Sequence, residues 1–258
     1  MKIFKIRKKS GEFRKIYAPN YTEKWKLRLI CIDLNEQVKK KCNHNIVHGF
    51  IQGHSPITNA LAHVGKLYTL SMDLKDFFDS IKYEMLPTTI ENYYKCFKDG
   101  AARQGLPTSP AISNLVCIEM DNKLLTLCEP QNIIYTRYAD DLSFSGNDLA
   151  ILKDLKEKIK NIVEECGFTL NPEKTRIQSA QYGRRNITGV NVDHTIHPTR
   201  KIKRRLRAAL HQKNQHEAKG LAEWCKLKPP NPKGGCNITK VQKNWAKHLT
   251  IKLLEKGK

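Results

Sequence analysis

Tyr138-Ala139-Asp140-Asp141 stands between two short apolar runs, Ile133-Ile134-Tyr135 before it and Leu142-Ser143-Phe144 after it. Runs rich in β-branched and aromatic residues are strand signals, and the acidic dipeptide breaks their alternation as a tight turn does. Two carboxylates crowded into so small a volume repel each other and favour a cation. Magnesium, a hard ion that prefers carboxylate and phosphate oxygens, would relieve the repulsion and orient a triphosphate. Neighbouring residues of a strand point to opposite faces, so one of the pair joins an acid from another strand more easily. Asp140 is assigned that place, with Asp141 completing the site. Alone, an Asp-Asp pair is more often just a polar turn.

A second acid changes that balance. Leu67-Tyr68-Thr69-Leu70-Ser71-Met72-Asp73 is a compact β-favouring run that ends in a carboxylate, and Asp76 follows at helical-turn spacing before Phe77-Phe78. Two strands that each present an acid beside apolar residues can hold two metal ions for in-line phosphoryl displacement, the chemistry of nucleotide polymerisation.

Outward from these strands the period alternates. Phe13 to Ala18 reads as a short strand stopped by Pro19, and Trp25, Leu27, Leu29, Ile30, Ile32, Leu34 and Val38 make the apolar face of a helix. Ser55-Pro56 opens a helix running through Asn59 to His63; Ser109-Pro110 opens another running through Ile112, Leu115, Val116, Ile118 and Met120 towards Leu125. Residues 149–166 form a further helix stopped by Gly167. The order predicts an α+β sandwich with an antiparallel sheet.

The chain has 258 residues, 40% of them hydrophobic and 28% charged, the mix of a folded protein. Its 46 Lys and Arg against 25 Asp and Glu leave a formal charge of +21, which calls for a polyanionic partner. The start, Met-Lys-Ile-Phe-Lys-Ile-Arg, interrupts its apolar residues with charges, so neither a leader nor a membrane partner is expected. Eight scattered cysteines without a Cys-x-x-Cys pair imply neither a disulfide framework nor a zinc site, and a reducing, cytoplasmic setting follows. Residues 199–258 carry 17 Lys and Arg against three Glu, which marks a separate basic helical unit interrupted by the loop Lys228 to Gly235.

Four stretches, in order, resemble successive motifs of reverse transcriptases: Met72-Asp73-Leu74-Lys75-Asp76-Phe77-Phe78, Gln104-Gly105-Leu106-Pro107-Thr108-Ser109-Pro110, Tyr138-Ala139-Asp140-Asp141 and Gly167-Phe168-Thr169-Leu170-Asn171-Pro172-Glu173-Lys174-Thr175. Two shorter ones resemble signatures of bacterial retron enzymes. Asn59-Ala60-Leu61-Ala62-His63 is similar to their Asn-Ala-x-x-His, and Ile187-Thr188-Gly189 to their Val-Thr-Gly, with Ile for Val. The likeness spans residues 12 to 200 or so, and the basic end matches in character alone.

The resemblance implies a right-hand polymerase: fingers and palm over 1–198, with an antiparallel sheet packed on helices, and a small helical RNA-binding thumb over 199–258. It implies two magnesium ions held by Asp73, Asp140 and the backbone carbonyl of Leu74, with Asp141 in support. Phe78 falls where the family walls off the sugar 2′ position, although a core role suits it equally. Gln104 and Gly105 would lie along the incoming nucleotide, where a glycine lets backbone approach a base pair closely. Lys174 would protonate the departing pyrophosphate or else be a solvated charge. Arg14, Lys26 and Arg28 are equal candidates for the triphosphate. Asn59, His63, Thr188, Gly189, Arg200, Lys203, Arg204 and Arg207 are the expected RNA contacts, while Trp224 and Trp245 either stack on bases or pack helices.

The function so implied is RNA-directed DNA polymerisation from dNTPs: a structured non-coding RNA is copied, from an internal 2′ hydroxyl, into RNA-linked multicopy single-stranded DNA within a retron anti-phage system. An effector or toxin protein and a host ribonuclease H are the further partners. The rivals are another bacterial defence-associated reverse transcriptase with different priming, and a non-catalytic RNA-binding scaffold for an effector. Only 31 positions separate Asp73 from Gln104, a shorter insert than the family pattern, which puts the outer wall of the nucleotide pocket in doubt.

Overall fold

In the computed structural model, the described residues are 1–8, 11–86 and 91–230. The chain opens with a hairpin, β1 (Lys2–Arg7) and β2 (Phe13–Ala18), whose Ile3, Phe4, Ile6 and Phe13 are exposed. Helix α1 (Tyr21–Lys41) follows, capped by Asn20 accepting from the Glu23 amide at 2.9 Å. It buries Leu27, Leu34 and Val38, whereas Trp25, expected on that face, is exposed. Helix α2 (Pro56–Ala62) starts in a capping box between Ser55 and Thr58.

Strand β3 (Tyr68–Asp73) delivers its acid to the start of a short helix, α3 (Phe77–Ser80). The helix predicted from Ser109 to Leu125 is two helices, α4 (Ser109–Val116) and α5 (Ile118–Cys128), parted at Cys117, where ψ is −3°. Helix α4 is buried almost all round, whereas α5 keeps a polar outer side, and the bend lets each meet its own surroundings. After β4 (Ile134–Tyr138) and β5 (Asp141–Gly146) come α6 (Leu149–Glu165), capped by Asp148, and β6 (Arg176–Ser179). Strands β7 (Arg185–Ile187), β8 (Val190–Val192) and β9 (Ile196–Pro198) then lead to α7 (Arg200–His211) and α8 (Gln215–Cys225).

The central sheet is antiparallel in the order β4-β5-β3-β6, and a smaller one runs β7-β8-β9. One core fills the space between the central sheet and α1, α4, α5 and α6. A second joins Ile57 and Ala60 of α2 to Ile187, Val190 and Val192 and to Leu227 beyond α8, with Trp224 packed against it. It therefore crosses the boundary drawn at residue 198, and Trp224 has a packing role; Trp245 and most of the loop to Gly235 lie outside the described residues. No described helix is long and apolar enough to cross a membrane. The seven described cysteines are unpaired, and Cys117, wholly buried, has its thiol pushed up to about 12 by that burial.

Beneath the acidic hairpin lies a fully buried cation. Arg137 donates through Nε to Asp121 Oδ1 at 2.8 Å and through Nη2 to Oδ2 at 2.7 Å, and the Tyr135 hydroxyl adds a bond to Oδ1 at 2.8 Å. Its Nη1 reaches Asn114 Oδ1 at 3.1 Å and the Ala139 carbonyl at 3.2 Å, inside the turn itself. The Asn114 amide in turn holds the Gly49 carbonyl at 3.0 Å. Gly49 must lack a side chain, since a Cβ would stand 2.2 Å from the Ala139 nitrogen.

Removing one partner of such a pair strands the other charge in the core. Arg137→Met should cost about 3–5 kcal/mol in denaturant unfolding, and Arg137→Met with Asp121→Asn should restore part of that loss.

Burial also shapes the acid response. His63, entirely buried with Nε2 2.7 Å from Thr136 Oγ1, is pushed down to about 3, and His48 down to about 4, in each case first by burial. Both stay neutral in the folded chain while the unfolded chain protonates near its ordinary 6.5, so their contribution is whole above that pH and is lost as pH falls below it. The two together should steepen the decline by about 3 kcal/mol per pH unit near pH 5. Replacing His63 with Gln should halve that increment, which urea titrations at a series of pH values would read.

Candidate active site

Strand register assembles the acids. Asp73, last in β3, is paired with Asp141, first in β5, so their side chains share one face of the sheet. In register it is Asp141, rather than Asp140, that lies opposite Asp73, while the Asp73 charge acts on both. Asp140 occupies the turn, behind Ala139 in a left-handed conformation at φ +57°, and its carbonyl accepts from the Leu74 amide at 2.9 Å. This bond lays the Leu74 backbone against the tip of the hairpin.

The acids act on one another. Burial raises the Asp140 carboxyl above its ordinary value, and the Asp73 charge adds to this. Asp141 rises to about 6, first through desolvation by the cleft walls and then through Asp140 and Asp73. Lys174 opposes both shifts and Arg14 opposes the one on Asp140.

Lys174 does not stand free as a solvated charge. Its Nζ lies 2.9 Å and 2.8 Å from the two Asp73 oxygens. The turn that carries it is fixed by the Asn171 amide, which donates to the Asp73 carbonyl at 2.8 Å, and by Asn171 Oδ1, which accepts from the Glu173 amide at 3.2 Å.

These residues suit a hard divalent ion. The donors are all oxygens, and their mutual repulsion is incompletely relieved by the chain's own cations. Among the described residues, no three His, Cys, Asp or Glu side chains converge tightly enough to complete a coordination shell. Asp73, Asp140 and Asp141 would therefore hold metal together with backbone and with oxygens of a bound phosphate, the usual shell of magnesium.

Around the acids the other expected residues divide. Phe78 is half-buried between Phe77, at 5.4 Å between ring centroids, and the exposed Phe50, at 6.1 Å, so it both packs and presents an edge. The Gly105 backbone makes its close approach to β2, where a Cβ would stand 2.3 Å from the Tyr17 carbonyl. In the same seam the Gln104 carbonyl accepts from the Tyr17 amide at 2.8 Å, so β2 fixes the backbone of both residues. Arg14, Lys26 and Arg28 are all exposed, Arg14 on β2 and the other two on α1, and of the three it is the charge of Arg14 that acts on Asp140.

Asn59 and His63 are corrected more sharply. Both are wholly buried, held to Thr188 and Thr136, so neither forms an RNA-facing surface. Thr188 and Gly189 do reach the site, lining with Ser71, Tyr138, Asp141 and Arg176 a cavity of about 230 Å³. Arg200, Lys203, Arg204 and Arg207 are exposed along α7, away from that cavity's lining.

Arg137, Asp121, Asn114 and Gly49, which hold the hairpin in place, lie outside the residues singled out from the sequence. A signal for two of them was available: Arg137 interrupts an apolar strand and Asp121 lies on an apolar helix, and a charge in such a place needs a partner.

Comparison with known proteins agrees with this architecture. Residues 6–221 match the family described as "Reverse transcriptase (RNA-dependent DNA polymerase)". The Retron Ec73 reverse transcriptase of Escherichia coli is 34% identical over 239 residues, covering 81% of this chain and 74% of that protein. The Retron Mx65 reverse transcriptase of Myxococcus xanthus is 34% identical over 243 residues, covering 83% of this chain but only 56% of the relative, so the chain spans little more than half of that protein's length. Among solved structures, apo telomerase of Candida tropicalis truncated from its C-terminal domain superposes with a TM-score of 0.51 at 17% identity, covering 77% of this chain and 54% of the other, a likeness of fold. The antiparallel sheet, its helices and the N-terminal hairpin are accordingly the palm and fingers of that fold. With the acids in register and the family match spanning both sheets, the chain belongs to the reverse transcriptase family, in its retron branch.

Proposed function

We propose that the chain is an RNA-directed DNA polymerase that adds dNTPs by two-metal nucleotidyl transfer. The pairing of Asp73 with Asp141 across β3 and β5, with Asp140 beside them, carries this reading. Two magnesium ions, when bound, would neutralise the acids and activate the attacking hydroxyl and the leaving pyrophosphate. Arg14, whose charge acts on Asp140, would take triphosphate oxygens. Lys174, whose Nζ is held at the Asp73 carboxylate, would give its proton to the departing pyrophosphate. Phe78 and Phe50 supply an aromatic edge against the nucleotide sugar.

The template in this reading is a structured non-coding RNA, primed from an internal 2′ hydroxyl, and the product is RNA-linked single-stranded DNA that serves anti-phage defence with an effector protein. A host ribonuclease H trims the copied RNA. The relatives named retron reverse transcriptases support the retron part of this reading. Sequencing the DNA that copurifies with the protein should find one branched product of fixed template; unbranched DNA of varied template would point to another priming mode.

Asp140→Asn and Asp141→Asn should each lower dTTP incorporation on a primed RNA template with magnesium by about a hundredfold, which is about 3 kcal/mol of transition-state stabilisation, while leaving RNA affinity unchanged. Incorporation at the unsubstituted rate would remove the metal-site assignment.

Arg200, Lys203, Arg204 and Arg207 recur at helical spacing on α7, a cationic stripe suited to backbone phosphates. Replacing Arg204 and Arg207 with Gln should weaken binding to all RNA duplexes alike and flatten the dependence of log K on log salt by about 1.5 to 2 units.

A further inference from the structure

Strands β7 and β8 are joined by the two-residue turn Thr188-Gly189, with φ of +46° and +82°. Two positive φ values in succession make the type I′ turn, whose twist suits the flanking strands. Asn, Asp or Gly ordinarily takes the first of these positions, and a β-branched residue there is strained. Thr188 is held in place by its hydroxyl: Oγ1 accepts from Asn59 Nδ2 at 3.4 Å and donates to the Pro56 carbonyl at 3.3 Å. Both partners belong to α2.

A second tie lies one helical turn further on. Arg185, the first residue of β7, donates through Nη2 to the His63 carbonyl at 2.9 Å and through Nη1 to Thr69 Oγ1 at 2.9 Å. Asn59 and His63 are four residues apart on one face of α2, so the helix grips β7 at both ends. Asn59 and Arg185 are fully buried, yet Asn59 Oδ1 and Arg185 Nε have no hydrogen-bond partner among the described residues. Such burial is unfavourable, and apolar residues would pack the same space at lower cost. What the polar pair adds is the placement of the turn. That turn, Thr188 and Gly189 together, lines the cavity that also contains Asp141, Tyr138 and Arg176.

We propose that Asn59 is a positioning residue: by holding the strained Thr188-Gly189 turn, it sets the wall of the cavity beside Asp141 and hence the seat of the strand that brings the attacking hydroxyl. The inference rests on the polymerase reading above. Asn59 itself touches no substrate.

The test uses the full chain with poly(rA) primed by oligo(dT), dTTP and magnesium. Asn59→Ala should lower kcat about tenfold, because misplacing an attacking group acts on the chemical step. KM for the primed template should stay within about threefold, because backbone phosphate contacts elsewhere govern affinity. Thr188→Val keeps the shape of a half-buried side chain and removes only the hydroxyl, so it should repeat the kcat loss even where Asn59→Ala folds poorly. Glycine accepts the turn's φ without help; in a Thr188→Gly background, Asn59→Ala should therefore change kcat less than about twofold, a non-additivity that a core-packing role does not produce. Equal losses in both backgrounds, or undiminished kcat in Thr188→Val, would overturn the proposal. Absence of incorporation by the unsubstituted protein would overturn the polymerase reading and this inference with it, whereas an active parent with unaffected variants overturns the inference alone.

Discussion

A single buried guanidinium fixes the geometry on which the rest of the site depends. Arg137 engages Asp121 of α5 through Nε and Nη2, and through Nη1 it holds Asn114 of α4 and the Ala139 carbonyl in the turn. Helix pair, strand and hairpin tip are thereby referred to one point. A buried ion pair of this kind adds little net stability compared with an apolar filling, because taking both charges out of water is costly. What it adds is direction. Few backbone arrangements bring Asp121, Asn114 and the Ala139 carbonyl to one guanidinium at once, and in this one β5 runs beside β3 with Asp141 opposite Asp73.

Much of this was legible in the sequence, for definite reasons. The strand ends at Asp73 and Asp141 were visible because apolar runs stop at an acid, and α2 and α6 because Ser55, Pro56 and Gly167 mark their limits locally. The division of α4 from α5 was not visible, because nothing in the apolar period between Ile112 and Leu125 changes at Cys117. That Asp141 rather than Asp140 stands in register with Asp73 was not visible for a related reason: register depends on where the turn begins, and Ala139, a residue with no turn signature, takes the positive φ. Asn59 and His63 were expected at the RNA through their resemblance to a retron signature, which does not tell a contact residue from a buried one; both are wholly buried, in α2 and at its end.

The electrostatics of the cleft run against those of the molecule. A chain of formal charge +21 gathers three acids at one end of its central sheet, where burial and proximity raise the carboxyl groups of Asp140 and Asp141. Lys174, Arg14 and Arg176 temper this without cancelling it. Nucleic acid is drawn by the surface while the site within favours cations, so the two attractions need not compete for the same groups.

The contact between Asn59 and Thr188 spans 129 positions of sequence. At a synthesis rate of about 5–20 residues per second, α2 leaves the ribosome roughly ten seconds before the strand that it will hold. During that interval the Asn59 amide has only water for a partner, and the second core cannot close. Loop closure of this length is slow compared with helix formation, so the palm's lower wall belongs to the late stages of folding. A nascent chain stalled short of residue 188 would carry its acids, its fingers and its main core, but not the wall against which a strand is set.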